Sequence, residues 1–194
     1  MKKLVLIRHA ERPEIQSTSV GNEVMLTDKG KQETLEYATK INQPVLSIRT
    51  SPIGRCVQTA EIIAAHSGYP LENIESTTQL GDPGFIISDG EQAWNQWQTK
   101  GIDEVNEILL SGSETLSGFV DLTHAINIFK SEVRDLLINS KEGIHFWVTH
   151  DVIVATVASR VSEQPLSLMD WPHFLGNLEI SLSNSNELIF QYNQ

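Results

Sequence analysis

Short apolar runs and longer amphipathic stretches alternate along the chain. Brief, mainly apolar runs predict buried strands at 3–7, 45–48 and 144–149. Apolar residues at helical spacing predict helices at about 27–41, 55–66, 92–100, 115–139 and 152–161. Two alternating segments near the end, 178–182 and 187–190, predict a late pair of strands around a polar turn.

This order of elements predicts an α/β fold with a doubly wound, mostly parallel sheet flanked by helices. Thr27 is the expected N-cap of the first helix, and Gly68 the expected stop of the second. A polar loop is expected over 11–25. The irregular stretch from about 70 to 115 predicts a small cap over the carboxyl edge of the sheet. No repeat or linker divides the chain, so residues 1–194 are expected to form a single domain.

Composition narrows the classes of partner. Fourteen Lys and Arg residues against 25 Asp and Glu residues give a formal charge of −11. An acidic surface of this kind repels nucleic acid, so no nucleic-acid partner is expected. The charge favours a small monophosphate, or a phosphorylated protein, over a polyphosphate.

The lengths of the apolar runs bear on location. They fall far short of the ~20 residues that span a bilayer, and the run after Lys2 and Lys3 is shorter than the ~7–15 residues of a signal peptide core. A cytoplasmic protein with no membrane contact is therefore expected. Cys56 has no second cysteine to pair with and is expected to be a small buried apolar residue.

Basic side chains follow three of the predicted strands. Arg8 and His9 come directly after the first run, Arg55 follows the second run and a turn, and His150 ends the third. Ligands of open α/β sheets bind in the crevice beyond the carboxyl ends of the strands. The sequence therefore predicts a cationic pocket for a phosphoryl group at this edge.

Four ordered segments carry a family resemblance. The segments at 6–10, 26–32, 50–60 and 148–151 resemble the histidine phosphatase superfamily, which includes the cofactor-dependent phosphoglycerate mutases. The resemblance implies a phosphatase that forms a phosphohistidine on His9. It also implies that Arg8, Arg55 and His150 bind the phosphoryl group. The other histidines have no metal-ligand spacing with Asp, Glu or Cys, so neither a metal nor another cofactor is expected.

Arg12 adds a second resemblance. The pattern Arg-His-x-x-Arg over 8–12 is similar to the acid-phosphatase and phytase branch of that superfamily, although Ala10 replaces the usual glycine and Pro13 comes one residue early. By this resemblance Arg12 is a third phosphate ligand. A surface arginine in the loop is the alternative.

A carboxylic acid is needed opposite His9 to protonate the leaving oxygen. Asp151 resembles the proton donor of the acid-phosphatase branch, although it is equally suited to cap the helix that follows. Asp82 lies where the mutase-like branch keeps its acid. The remaining candidates are Glu11, Asp89 and Glu91.

Three functions remain open at the level of sequence. The first is a phosphatase acting on a small phosphorylated metabolite or on a phosphoprotein, including a protein phosphohistidine. A phosphoglycerate mutase and a non-catalytic phosphate-binding protein are the alternatives. Apolar residues of the cap or near Trp171 are candidates for a homodimer interface.

Overall fold

The computed structural model describes residues 1–16 and 19–194, so positions 17 and 18 of the predicted loop lie outside the described residues. In the described part of the chain, six strands form one sheet and six α-helices flank it. The strands are β1 (Lys2–Arg8), β2 (Val45–Thr50), β3 (Glu75–Ser76), β4 (Gly143–Thr149), β5 (Asn177–Leu182) and β6 (Leu188–Asn193). The helices are α1 (Asp28–Ala38), α2 (Gly54–Ser67), α3 (Gly90–Lys100), α4 (Ile102–Ser111), α5 (Leu122–Asn139) and α6 (Asp151–Val161).

The sheet has the order β3-β2-β4-β1-β5-β6. The first four strands in this order are mutually parallel, and the late hairpin of β5 and β6 adds antiparallel strands beside β1. The predicted α/β class and mostly parallel sheet are confirmed. In the register, Arg8 lies opposite Thr149 and Thr50 opposite Val148. The three central strands therefore end at one level, and the residues that follow them meet there.

Helices cover both faces of the sheet, as a doubly wound fold requires. On β1, Leu4 and Leu6 face one hydrophobic cluster, and Val5 and Ile7 face the other. Burial on both faces explains why the run is continuously apolar instead of alternating. Residues of α4, α5 and α6 build the first cluster, and residues of α2 build most of the helical side of the second.

The stretch 70–115, predicted to be a cap, contributes one strand to the sheet, one helix packed on α6 and one helix at the carboxyl edge. Its short strand β3 pairs with β2, and α4 packs on α6, whereas α3 contributes side chains to a cavity at the carboxyl edge. Neither β3 nor α4 was predicted from the sequence. The description of the chain as a single domain stays a prediction.

The predicted long helix starts later than expected. It was expected from residue 115, but α5 begins at Leu122, where Asp121 Oδ1 accepts a hydrogen bond from the backbone N–H of His124 at 3.0 Å. Gly118 has a φ of +84°, which a right-handed helix excludes. Leu116 and Phe119 are nevertheless buried. The apolar periodicity therefore predicted their burial correctly but their helical conformation wrongly.

Two predicted helix boundaries are confirmed. Thr27 caps α1, since its hydroxyl accepts from the backbone N–H of Gly30 at 2.9 Å. Gly68 ends α2 in the left-handed region, with a φ of +72°. No helix in the described residues has the length and apolar character to cross a membrane.

Candidate active site

The carboxyl edge of the sheet gathers the predicted basic residues. The rings of His9 and His150 face each other edge to face, with centroids 5.5 Å apart. Arg55 contacts both, since its Nε lies 3.1 Å from His9 Nε2 and its Nη2 lies 3.5 Å from His150 Nδ1. Arg8 and Asp151 form an ion pair at the same edge, with 3.0 Å between Nη2 and Oδ2.

His9 is buried and has a defined tautomer. Its Nδ1 lies 2.8 Å from the carbonyl oxygen of Ala10, which can only accept, so Nδ1 carries the proton. Its Nε2 then accepts the hydrogen bond from Arg55. Burial, followed by the neighbouring His150, lowers the pKa of His9 well below its ordinary value. The ring is therefore neutral near pH 7, with its lone pair on Nε2.

Arg8 is held from three sides. Its Nη1 donates to the carbonyl oxygen of Pro172 at 2.7 Å, its Nη2 pairs with Asp151, and its guanidinium carbon lies 4.2 Å from the ring centre of Phe174. Its Nε is buried and has no hydrogen-bond partner among the described residues. Buried donors are normally paired. This N–H is therefore available to an oxygen of a bound anion.

Arg12 and Arg55 add two further cations. Arg12 is half-buried, donates to the carbonyl oxygen of Pro13 at 2.8 Å, and has a buried Nε without a partner among the described residues. Burial and the nearby positive charge of other arginines lower the pKa of both guanidinium groups, which nonetheless remain charged at neutral pH. Like charges brought together in this way favour an anion between them.

His150 is oriented by Ser51. Since Arg55 can only donate to Nδ1, the proton of the neutral ring lies on Nε2, which is 3.0 Å from the Ser51 hydroxyl. Burial, followed by the charge of Arg55, lowers the pKa of His150 to about 4. A bound phosphoryl dianion would raise this pKa, because it stabilises the imidazolium form.

The two leading acid candidates lie in different surroundings. Asp151 is partly buried, and its Oδ1 accepts from the backbone N–H of Val152 at 2.9 Å, so it also serves the start of α6. Burial alone would raise the pKa of this carboxyl, but the charge of Arg8 lowers it to about 2. Asp151 is therefore ionised in the free site, where its carboxylate pairs with Arg8 and orients it.

Asp82 is exposed on the wall of a cavity that Arg55 and His150 also line. Its φ is +66°, a region that residues other than glycine seldom occupy. Backbone strain of this kind concentrates at functional sites. Position and conformation together make Asp82 a candidate for contact with the leaving group.

Of the other three acid candidates, Glu11 and Asp89 have structural partners and Glu91 is exposed. Glu11 accepts from the Thr27 hydroxyl at 2.7 Å and pairs with Lys29 at 2.5 Å. Asp89 caps α3, since its Oδ1 accepts from the backbone N–H of Gln92 at 3.0 Å. Glu91 is exposed in the first turn of α3.

Several contacts of the site were not foreseen. The sequence gave no motif for Pro172 and Phe174, which hold Arg8 from a segment 164 residues away. Ser51 orients His150, a role that the sequence did not indicate. Cys56 is fully buried, as expected, and burial raises the pKa of its thiol to about 12.

Gly81 lets the backbone pass against His150. A Cβ at this position would lie 2.5 Å from the His150 ring and from the Ser51 hydroxyl. We expect Gly81→Ala to displace His150 and lower kcat/KM for a phosphomonoester by about 100-fold, since misplacement by about 1 Å has effects of that size. Steady-state kinetics measures it.

Gly68→Ala is the matched control. Gly68 also has a positive φ, but a Cβ there meets nothing within 4 Å. Gly68→Ala should lose about 1 kcal/mol of unfolding free energy, measured by chemical denaturation, and Gly81→Ala should lose more, because its Cβ also collides with His150 and Ser51. Equal activity losses in the two variants would show that backbone strain, and not contact with His150, is responsible.

Fold and site together define an α/β protein with a buried, neutral histidine in an arginine-rich anion pocket. The family model of the histidine phosphatase superfamily (branch 1) matches residues 4–187. The chain belongs to this superfamily, as the sequence resemblance predicted. Comparison with curated protein sequences gives no significant match.

Solved structures of similar fold cover nearly the whole chain. The phosphoserine phosphatase of Entamoeba histolytica, in complex with 3-phosphoglyceric acid, has a TM-score of 0.66 at 18% identity, over 100% of this chain and 98% of that one. A mycobacterial glucosyl-3-phosphoglycerate phosphatase has a TM-score of 0.63 at 15% identity, over 100% and 97%. The protein histidine phosphatase SixA with tungstate has a TM-score of 0.57 at 14% identity, over 99% and 96%. At these identities the likeness establishes the fold.

Proposed function

We propose that this protein is a phosphatase that hydrolyses a phosphomonoester through a covalent phosphohistidine at His9. The observation that carries the proposal is the state of His9: buried, neutral, protonated on Nδ1, and with its Nε2 lone pair turned to Arg55. Neutral imidazole with a fixed tautomer is a competent nucleophile toward phosphorus. Family membership and the phosphatases of similar fold support the same class of reaction.

In the first step the phosphoryl group enters between the two histidines. Arg55 gives its N–H groups to phosphoryl oxygens, which frees the lone pair of His9. Arg8 and Arg12 supply further donors, including their unpartnered Nε–H groups. The bond from Nε2 to phosphorus forms as the bond to the leaving oxygen breaks, and the arginines and His150 stabilise the oxygens in between.

We assign protonation of the leaving oxygen to the carboxylic acid form of Asp82, which becomes a carboxylate in this first step. Asp82 lines the cavity beside Arg55 and His150, whereas Asp151 is committed to Arg8. In the second step Asp82, now ionised, accepts a proton from a water molecule whose oxygen attacks phosphorus. The bond to His9 breaks, inorganic phosphate leaves the site, and His9 returns to its neutral form. Asp151 acts as a positioning residue for Arg8.

The acceptor of the phosphoryl group is proposed to be water. A mutase keeps its phosphoenzyme from water by holding a second phosphate with further cations. Lys100, the additional cation in the groove near the site, is paired with Glu104 and Glu114 at 3.1 Å each. We propose a small phosphorylated metabolite as substrate and a cytoplasmic location; these rest on the charge of −11 and on the short apolar runs.

Hydrolysis of p-nitrophenyl phosphate tests the proposal. We expect turnover that vanadate inhibits competitively and that a metal chelator leaves intact, because arginines supply the positive charge. Absence of turnover with intact vanadate binding would favour a phosphate-binding protein. Interconversion of 2- and 3-phosphoglycerate with negligible hydrolysis would favour a mutase. Either result would overturn the proposal.

A further inference from the structure

An apolar cavity of about 350 Å³ adjoins the phosphoryl pocket. It shares Arg55 and His150 with that pocket, and it opens toward a larger groove that Trp94 and Trp97 also line. Small-molecule sites typically have volumes of about 300–1,000 Å³. The cavity is therefore large enough for the part of a substrate that leaves with the ester oxygen.

The walls of the cavity are mainly apolar and come from separate segments. Residues of the loop after β1, of the turn before α3, of α3 and of α6 contribute, among them Val20, Ile86, Ile87, Trp94, Val152 and Ile153. Trp97 is fixed, since its ring packs edge to face on Phe119 and its Nε1 donates to Asn106 at 3.4 Å. Such a wall stabilises an apolar group by removing it from water.

The charges around the cavity disfavour a second anionic group on the substrate. Among the described residues that line the cavity, the cation is Arg55, which the phosphoryl group occupies. In the adjoining groove Arg12 is a proposed ligand of the phosphoryl group, Lys100 is neutralised by Glu104 and Glu114, and Asp103 adds a further carboxylate. A carboxylate on the leaving group would be desolvated here without a partner, which is costly.

From these observations we propose that the leaving group is an uncharged apolar alcohol, aromatic or branched aliphatic, and not a carboxylate-bearing group such as that of phosphoserine. The inference rests on the proposed phosphatase function and specifies its substrate class. It separates this chain from its neighbours of similar fold, one of which is a phosphoserine phosphatase. The cavity then contributes binding through apolar burial, while the arginines hold the phosphoryl end.

The test compares alkyl phosphates of similar leaving tendency. We expect kcat/KM for 2-phenylethyl phosphate to exceed that for O-phospho-L-serine and for choline phosphate by at least about ten-fold, the effect of burying roughly one phenyl ring. An equal or higher value for phosphoserine, or for choline phosphate, would overturn the inference. Vanadate-sensitive hydrolysis of p-nitrophenyl phosphate is measured on the same preparation. Its absence would overturn the proposed function as well, whereas its presence with reversed preference would overturn the inference alone.

Two variants locate the effect in the cavity. Trp94→Ala should lower the ratio of kcat/KM for 2-phenylethyl phosphate over propyl phosphate by about ten-fold, and Trp94→Phe should retain most of it. Ile128→Ala, which truncates an apolar residue of α5 that is 55% exposed, is the control and should leave the ratio unchanged. An unchanged ratio in Trp94→Ala would contradict the assignment of the cavity.

A gain of function completes the test. Val20 lines the cavity and is 54% exposed, so a longer side chain fits there without disturbing the core. Val20→Lys adds a second cation to the cavity, besides the Arg55 that binds the phosphoryl group, and should raise kcat/KM for phosphoserine relative to 2-phenylethyl phosphate by about ten-fold. A relative value that stays the same or falls would contradict the charge argument.

Discussion

His9→Ala should abolish the hydrolysis of phosphomonoesters. We expect kcat to fall by at least about 10³-fold, because the variant lacks the atom that accepts the phosphoryl group and the remaining residues cannot replace a covalent step. Arg8, Arg12 and Arg55 remain in the pocket, so inorganic phosphate should still bind within about ten-fold of the wild-type affinity. The two measurements separate loss of chemistry from loss of binding.

A direct observation of the intermediate accompanies this variant. Wild-type protein quenched in alkali after mixing with substrate should carry one phosphoryl group, located at His9 by mass spectrometry and lost on exposure to acid. His124→Ala replaces an exposed histidine at the start of α5 and serves as the matched control, with full activity expected. Full activity of His9→Ala on p-nitrophenyl phosphate would refute the mechanism.

The second large effect concerns the acid. Asp82→Asn should slow the hydrolysis of propyl phosphate by about 10²–10⁴-fold and that of p-nitrophenyl phosphate much less, since a leaving group that departs unaided needs little protonation. Asparagine is well suited to this position, because it tolerates the positive φ of Asp82 better than most residues. The comparison therefore removes the acid and keeps the backbone.

Asp151→Asn should behave differently. Loss of the ion pair at 3.0 Å releases Arg8, so we expect weaker vanadate binding and a higher KM, by about ten-fold, to a similar extent for both substrates. Vanadate affinity is the readout that proton donation alone would not change. A steep dependence on the leaving group in Asp151→Asn, absent from Asp82→Asn, would move the acid assignment to Asp151.

The sequence indicates which basic residues lie close together where short-range signals coincide with strand ends. Arg8 ends β1, and His9 and His150 directly follow β1 and β4. These strands are recognisable because both of their faces are buried, and parallel pairing places their ends together. Arg55 was predicted to lie at the same edge because it comes directly after the turn that follows β2. Nothing in the sequence near these residues could indicate Pro172 and Phe174, because their contact with Arg8 depends on how the distant segment before β5 folds back.

The prediction of a helix boundary was wrong where a local backbone feature overrode the apolar pattern. Residues 115–121 have the spacing of a helix, but Gly118 and the cap at Asp121 end that continuity. For Asp82, the position in the sequence indicated a candidate acid but gave no physical reason for that role. The structure adds the exposed carboxylate, the strained backbone and the contact of Gly81 with His150, all of which depend on tertiary packing.

The three arginines stand in a molecule whose net charge is −11. At physiological ionic strength the Debye length is about 8 Å, so an approaching phosphate monoester first experiences weak repulsion and meets attraction only over the last few ångströms. Long-range steering therefore does not accelerate encounter, and each additional negative charge on a ligand lowers the rate of collision. Binding of the ligand therefore depends on the short-range contacts that it makes with the arginines once it has reached the pocket. A ligand with one phosphate and an otherwise neutral body is repelled less during association than a ligand that carries a second anionic group.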